Sequence, residues 1–127
     1  MVINLPPVLL NAQAIHLYKQ GQTREAVNLA EQVQQLWKEL PGGWPLGRAS
    51  SLNDLASFHW QMGQFAQAES RYVQAHELWR KAVGENHPHY ARSLNNLALL
   101  YSSLGDFAKA EPLYVQAREI RRKVLGE

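Results

Sequence analysis

The chain has 127 residues, 46% of them hydrophobic, with 13 Lys and Arg against 11 Asp and Glu and a formal net charge of +2. This is chain enough for one domain. The apolar share is that of a globular protein, and the interleaved charges indicate neither a nucleic-acid-binding surface nor an acidic tail. Zero cysteines exclude disulfides and thiolate metal sites and suit a reducing compartment, so a cytoplasmic location is expected.

The N-terminal stretch MVINLPPVLLNAQA has a short apolar segment and an Ala-x-Ala. It lacks preceding basic residues and is broken by Pro6 and Pro7, so it reads as the start of a helix rather than as a signal peptide. No apolar run approaches the roughly 20 residues that span a bilayer, and no membrane contact is expected. Further along, residues 51–75 read SLNDLASFHWQMGQFAQAESRYVQA, and residues 93–117 read SLNNLALLYSSLGDFAKAEPLYVQA. A shift of 42 superposes Ala49 on Ala91, Leu52 on Leu94, Asn53 on Asn95 and Gly63 on Gly105, with about twenty identical positions. A second shift of 42 reaches a more degenerate copy through Leu10, Asn11, Ala14, Gly21 and Ala26. Three repeats, over residues 7–48, 49–90 and 91–127, fill the chain.

Each repeat carries two helical patterns. In the third, Leu94, Leu97, Ala98 and Tyr101 recur at three- and four-residue steps. Phe107, Ala110, Tyr114, Ala117 and Ile120 form a second stripe. Gly21, Gly63 and Gly105 interrupt the two stripes, where a helix C-terminal turn favours positive φ. Pro88 suits a first helical turn. Small residues such as Ala98, Ala110 and Ala117 let paired helices approach closely. The chain is therefore expected to be all-α, with six helices in three antiparallel hairpins.

These residues resemble the tetratricopeptide repeat, in the 42-residue variety of kinesin light chains and many bacterial repeat proteins. The third unit, HPHYARSLNNLALLYSSLGDFAKAEPLYVQAREIRRKVLG, follows that pattern almost throughout. The second has Pro45-Leu46 for His87-Pro88 and His59 for Tyr101; the first has Gln13 for Leu97 and Ala30 for Tyr114. The resemblance implies a right-handed α-solenoid that binds a protein or peptide and performs no catalysis. It places the first helix of each hairpin along a concave groove. The implied groove positions are Val8, Asn11, Ala12, Ile15, Tyr18 and Lys19, then Ser50, Asn53, Asp54, Ser57, Trp60 and Gln61, then Arg92, Asn95, Asn96, Leu99, Ser102 and Ser103.

Asparagine recurs at Asn11, Asn53 and Asn95, and its amide can both donate to and accept from a peptide backbone. The expected site is thus Asn11, Asn53, Asn95 and Asn96 as backbone clamps, Arg92 and Lys19 for acidic residues, and Tyr18, Trp60 and Leu99 for apolar contact. The competing reading is that the asparagines bridge helices. Neither metal nor cofactor is expected. His76-Glu77-Leu78-Trp79-Arg80 begins like a zinc-protease motif, but Arg80 stands where the second histidine must ligate. The glycines of GGWPLGRA, residues 42–49, lack a phosphate loop's Lys-Ser/Thr and belong to an inter-repeat connector. His87 and His89 flank Pro88 at a helix start, and Trp37 and Trp79 hold equivalent packing positions. Arg118, Arg121, Arg122 and Lys123 sit near a helix C-terminus, where the dipole favours cations. Glu77 and Glu119 stand four residues before Lys81 and Lys123.

The last residues fall where a further His-Pro would open another unit. This suggests an N-terminal, regulatory fragment of a longer protein, or uncapped ends covered by neighbouring copies. End-to-end stacking into homo-oligomers is therefore the alternative to peptide binding.

Overall fold

The computed structural model describes residues 5–126; the reading of the first four residues and of the last lies outside them. Six helices follow in order: α1 (Pro7–Lys19), α2 (Thr23–Glu39), α3 (Pro45–Gln61), α4 (Phe65–Val83), α5 (Pro88–Ser103) and α6 (Phe107–Leu125). There is no strand among the described residues. Each helix packs on its neighbours in sequence, giving three hairpins laid side by side.

The three helix–helix turns are copies of one another. Gly21, Gly63 and Gly105 have φ of 83°, 74° and 81°. In the first, Gly21 N–H donates to the Tyr18 carbonyl and Gln22 N–H to the Leu17 carbonyl, at 3.0 and 2.9 Å. Gly63 with Gln64 and Gly105 with Asp106 repeat both bonds. This pairing satisfies the last carbonyls of α1, α3 and α5 and reverses the chain within a few residues. At the other end of the hairpins the helix starts differ. Pro88 opens α5 after His87, whose Nδ1 accepts from the His89 N–H. In the connector 40–44, Gly42, Gly43 and Trp44 all take positive φ before Pro45 opens α3.

Within a hairpin the contact is made by alanines: Ala14 with Ala26 and Ala30, and Ala56 with Ala68, all fully buried. Between hairpins the first helix of one unit covers the second helix of the unit before it. Leu55 and Phe58 of α3 close on Ala26 and Ala30 of α2. Leu97 and Leu100 of α5 close on Ala68 and Tyr72 of α4. The tryptophans lie at the far end of these contacts: Trp37 is 4% exposed and Trp79 is 3% exposed. Trp79 stacks on His89, ring centres 4.7 Å apart, and His76 beside it stacks on Tyr90 at 4.9 Å. At the equivalent place Trp37 faces Gly47, and Gln34 donates to the Ser51 hydroxyl at 2.8 Å.

Two expectations need correction. Phe107 does not join the buried stripe of α6; it is 66% exposed and lines the open groove beside α5. The acids of the charged helices pair at three residues, not four. Glu77 accepts from Arg80 at 2.9 Å and Glu119 from Arg122 at 3.3 Å, since residues three apart are also neighbours on the helix surface and the guanidinium offers a charge-assisted hydrogen bond.

Two polar bridges tie the first helices across the hairpins. Asn11 donates from α1 to the Asp54 carboxylate of α3 at 2.9 Å, and Asn96 donates from α5 to the Asn53 amide oxygen of α3 at 2.8 Å. Burial pushes the Asp54 carboxyl above its ordinary 3.8, against the opposing pull of the Asn11 hydrogen bond and the Arg92 charge. An acid whose pKa rises on folding binds its proton more tightly in the folded chain. Ionised Asp54 therefore detracts from stability at neutral pH, and the penalty fades as pH falls through the ordinary value.

Two outcomes follow for stability. Asp54→Asn keeps an acceptor for Asn11 and should raise the urea midpoint near pH 7, with the gain shrinking toward about pH 3; a lowered midpoint at neutral pH would contradict this account. A Cβ on Gly47 would lie 2.5 Å from the Trp37 ring, so Gly47→Ala should cost about 1–3 kcal/mol in the same measurement.

Candidate functional site: the face of α1, α3 and α5

The two bridges place Asn11, Asp54, Asn53 and Asn96 in one polar line across three helices. All four are half-buried, as is Asn95, which lies next to Asn96 on α5. Asn95 has no side-chain hydrogen bond among the described residues; the partners of Asn11 and Asn53 stand 43 residues further on, a distance that from Asn95 runs past residue 127. The sequence brings these groups together through the repeat itself: the same register on successive first helices puts position 53 opposite position 96, and 11 opposite 54.

Of the expected apolar contacts, Tyr18 stacks on Phe58 with ring centres 4.8 Å apart, and Trp60 meets Tyr72 edge-on at 6.4 Å. Each is half-buried, one ring face given to packing and the remainder open. Leu99 is 44% exposed on α5. Arg92 and Lys19 are exposed at opposite ends of the face. Neither has an ion-pair partner among the described residues, although Arg92 lies near enough to Asp54 to act on its carboxyl. The second helices contribute hydroxyls that the sequence pattern did not single out. Tyr72 hydrogen-bonds Ser57 at 2.9 Å and Tyr114 accepts from Ser102 at 3.5 Å, fixing both phenols beside the asparagine line.

At the α1 end a cleft of about 240 Å³ is lined by Val8, Asn11, Trp37, Gly47, Ser50 and Ser51. The Asn11 Oδ1 and the Trp37 indole N–H are both buried without a partner. A buried donor and acceptor left unpaired cost roughly 1–3 kcal/mol each, so this end of the face holds unspent polar capacity. No residue of the cleft is a nucleophile with a neighbouring base. At the zinc-protease-like stretch, Arg80 is turned onto Glu77 and His76 is stacked on Tyr90. No group of three or more His, Asp or Glu side chains gathers at metal-holding distance among the described residues. Among the described residues no helix is long and apolar enough to cross a membrane.

Comparison with known proteins agrees with this geometry. The chain superposes on the nearly identical TPR-like repeats of a Podosopora anserina protein described as a kinesin light chain. That match has a TM-score of 0.80 and 29% identity over 95% of this chain, and spans 58% of that structure's length. The TPR domain of Arabidopsis FLU matches with a TM-score of 0.77 at 13% identity, covering 90% of this chain and 92% of that one. BtubC (BKLC) from P. vanneervenii matches at 0.62 and 21% identity, covering 99% and 68%. The last two show the fold alone. No curated protein sequence matches the chain. The tetratricopeptide repeat model matches residues 47–123. That is more than half of the chain, and with its all-α solenoid of kinesin-light-chain-like hairpins the protein belongs to the tetratricopeptide repeat family, whose members generally serve as protein-interaction scaffolds.

Proposed function

We propose that this chain is a protein-interaction module that holds an extended peptide segment of a partner along the face of α1, α3 and α5. The observation that carries the reading is the recurrence of a half-buried asparagine on successive first helices, Asn11, Asn53 and Asn95, with amide groups of Asn53 and Asn95 left over beyond the bridges. A side-chain amide so placed can take the N–H and the C=O of one peptide unit, a contact independent of the ligand's side chains. Leu99 beside it provides an apolar anchor, and Arg92 and Lys19 favour acidic residues toward the two ends of the segment.

In this reading the asparagines divide their work. Asn53 accepts from Asn96 through its oxygen and keeps its amide protons for the ligand; Asn11 donates to Asp54 and, with its oxygen buried, serves as a bridge. Among the described residues, what this face offers is amide groups, hydroxyls and exposed apolar side chains, which suit holding a chain. An interface of this size, with few anchors, corresponds to micromolar affinity, about −8 kcal/mol.

A random-peptide display selection on the purified chain, counter-selected with Asn53→Ala/Asn95→Ala, supplies the ligand. For an enriched peptide, Asn95→Ala alone should weaken binding about tenfold by titration calorimetry and leave the urea midpoint within about 0.5 kcal/mol of wild type. Unchanged affinity with unchanged stability would refute groove recognition through this amide.

A further inference from the structure

The face of α1, α3 and α5 carries one charge that its own architecture does not require. The sequences of these three helices hold a single acid between them, Asp54. The equivalent positions of the first and third repeats are Ala12 and Asn96. Asn96 bridges to the neighbouring leading helix as a neutral amide, at 2.8 Å, so bridging alone asks for no carboxylate. Asp54 is ionisable and half-buried, and it has no salt-bridge partner among the described residues.

The groups around this carboxylate leave one side of it open. From α1, Asn11 donates to Oδ2 at 2.9 Å. The other oxygen, Oδ1, accepts no hydrogen bond among the described residues and, unlike the Asn11 Oδ1, is not buried. From α4, the Tyr72 hydroxyl is occupied with Ser57 at 2.9 Å, and burial pushes its phenol up with the Asp54 charge adding to the effect. From α5, Arg92 acts on the carboxyl through space, makes no salt bridge with it and is exposed. Burial outweighs both Arg92 and the Asn11 bond. The ionised group therefore costs stability where the next repeat has an amide, which is the signature of a charge that serves binding rather than folding.

We propose that Asp54 is the cation receptor of this face: the held segment carries a lysine or arginine whose charged head meets the Asp54 Oδ1. The inference rests on the peptide-holding reading above and deepens it to a charge pattern. Lys19 on α1 and Arg92 on α5 favour acids toward the two ends, and Asp54, on the helix between them, sets a base in the middle. The stem of that base has apolar surface to lie on. The cleft of about 240 Å³ with Val8, Trp37 and Gly47 in its walls is also lined by Asn11, the residue that holds Asp54. A segment with a neutral or acidic residue in this register would cover the carboxylate and leave it unpaired, so the same charge that attracts a base rejects the alternatives.

A random-peptide library is selected in parallel on the wild-type chain and on Asp54→Asn, which keeps an acceptor for Asn11 and with it the bridge. The peptides taken forward are those lost on Asn53→Ala/Asn95→Ala. On the wild type they should share a lysine or arginine at one position, and on Asp54→Asn that preference should vanish. In an enriched peptide, replacing the shared base by methionine should weaken binding about tenfold on the wild type and less than about twofold on Asp54→Asn, by titration calorimetry. Asparagine-dependent peptides without a shared basic position, or an equal loss on the two proteins, would overturn the role of Asp54 and leave the peptide-holding face standing. No asparagine-dependent peptide at all would overturn that face and this inference with it.

Discussion

A helix hairpin has more apolar surface than its two helices can hide from each other, and the architecture follows from where the excess goes. In α2 the excess is Ala26, Ala30, Val33 and Trp37; in α4 it is Ala68, Tyr72, Ala75 and Trp79, all buried. The leading helix of the next hairpin covers each set, so every core cluster contains residues of at least two hairpins. Burying one indole removes on the order of 200 Å² from water, at most roughly 5 kcal/mol of transfer free energy. Such contacts bind nearest neighbours only, and stability is correspondingly a sum of hairpin and interface terms.

The polar line across α1, α3 and α5 is a consequence of the same stacking. Repetition puts like positions of successive helices opposite one another, and amide side chains suit such contacts because they donate and accept at once. In the first pair the acceptor is a carboxylate, Asp54; in the second it is the Asn53 amide, with Asn96 standing where Asp54 stands in its own repeat. Amide–amide bridging avoids the desolvation that shifts Asp54. The reading as structural bridges and the reading as peptide clamps therefore describe different atoms of the same side chains. A bridge uses one polar atom of an asparagine and orients the other.

Helices, their order and the glycine turns were legible because each is written three times, and a local signal that recurs at fixed spacing averages out the exceptions. The Schellman turns at Gly21, Gly63 and Gly105 are the clearest case: the backbone dictates the residue, and the residue betrays the backbone. The line of Asn11, Asn53 and Asn95 was visible as recurrence, but its partners were not. A spacing of 43, one more than the repeat, is set by the stagger between adjacent leading helices, which no within-helix period encodes. Gly47 was read as connector glycine; its close approach to the Trp37 ring depends on the crossing of α2 and α3. Phe107 and the expected Glu–Lys pairs failed for a simpler reason. Periodicity assigns a face but not whether a neighbour covers it, and spacing alone does not choose between an arginine three residues on and a lysine four residues on.

Departures from a repeat carry more information than its agreements. Trp37 and Trp79 each meet the first turn of the following helix; the same register on α6 is Arg121, which is exposed. The exchange is not a retreat to a polar surface, because Ala110 and Ala117 remain buried and the Tyr114 ring keeps its place beside Val115 in the groove. An arginine stem can lie along such a floor with its charged head at the rim, so the groove retains its shape while its entrance changes sign. The leading face alters in a different manner, with Gln13 and His16 replacing apolar residues of the later repeats. The first and third repeats thus depart from the second in unlike ways, α1 by polar residues in place of leucine and phenylalanine, α6 by cations in place of histidine and tryptophan.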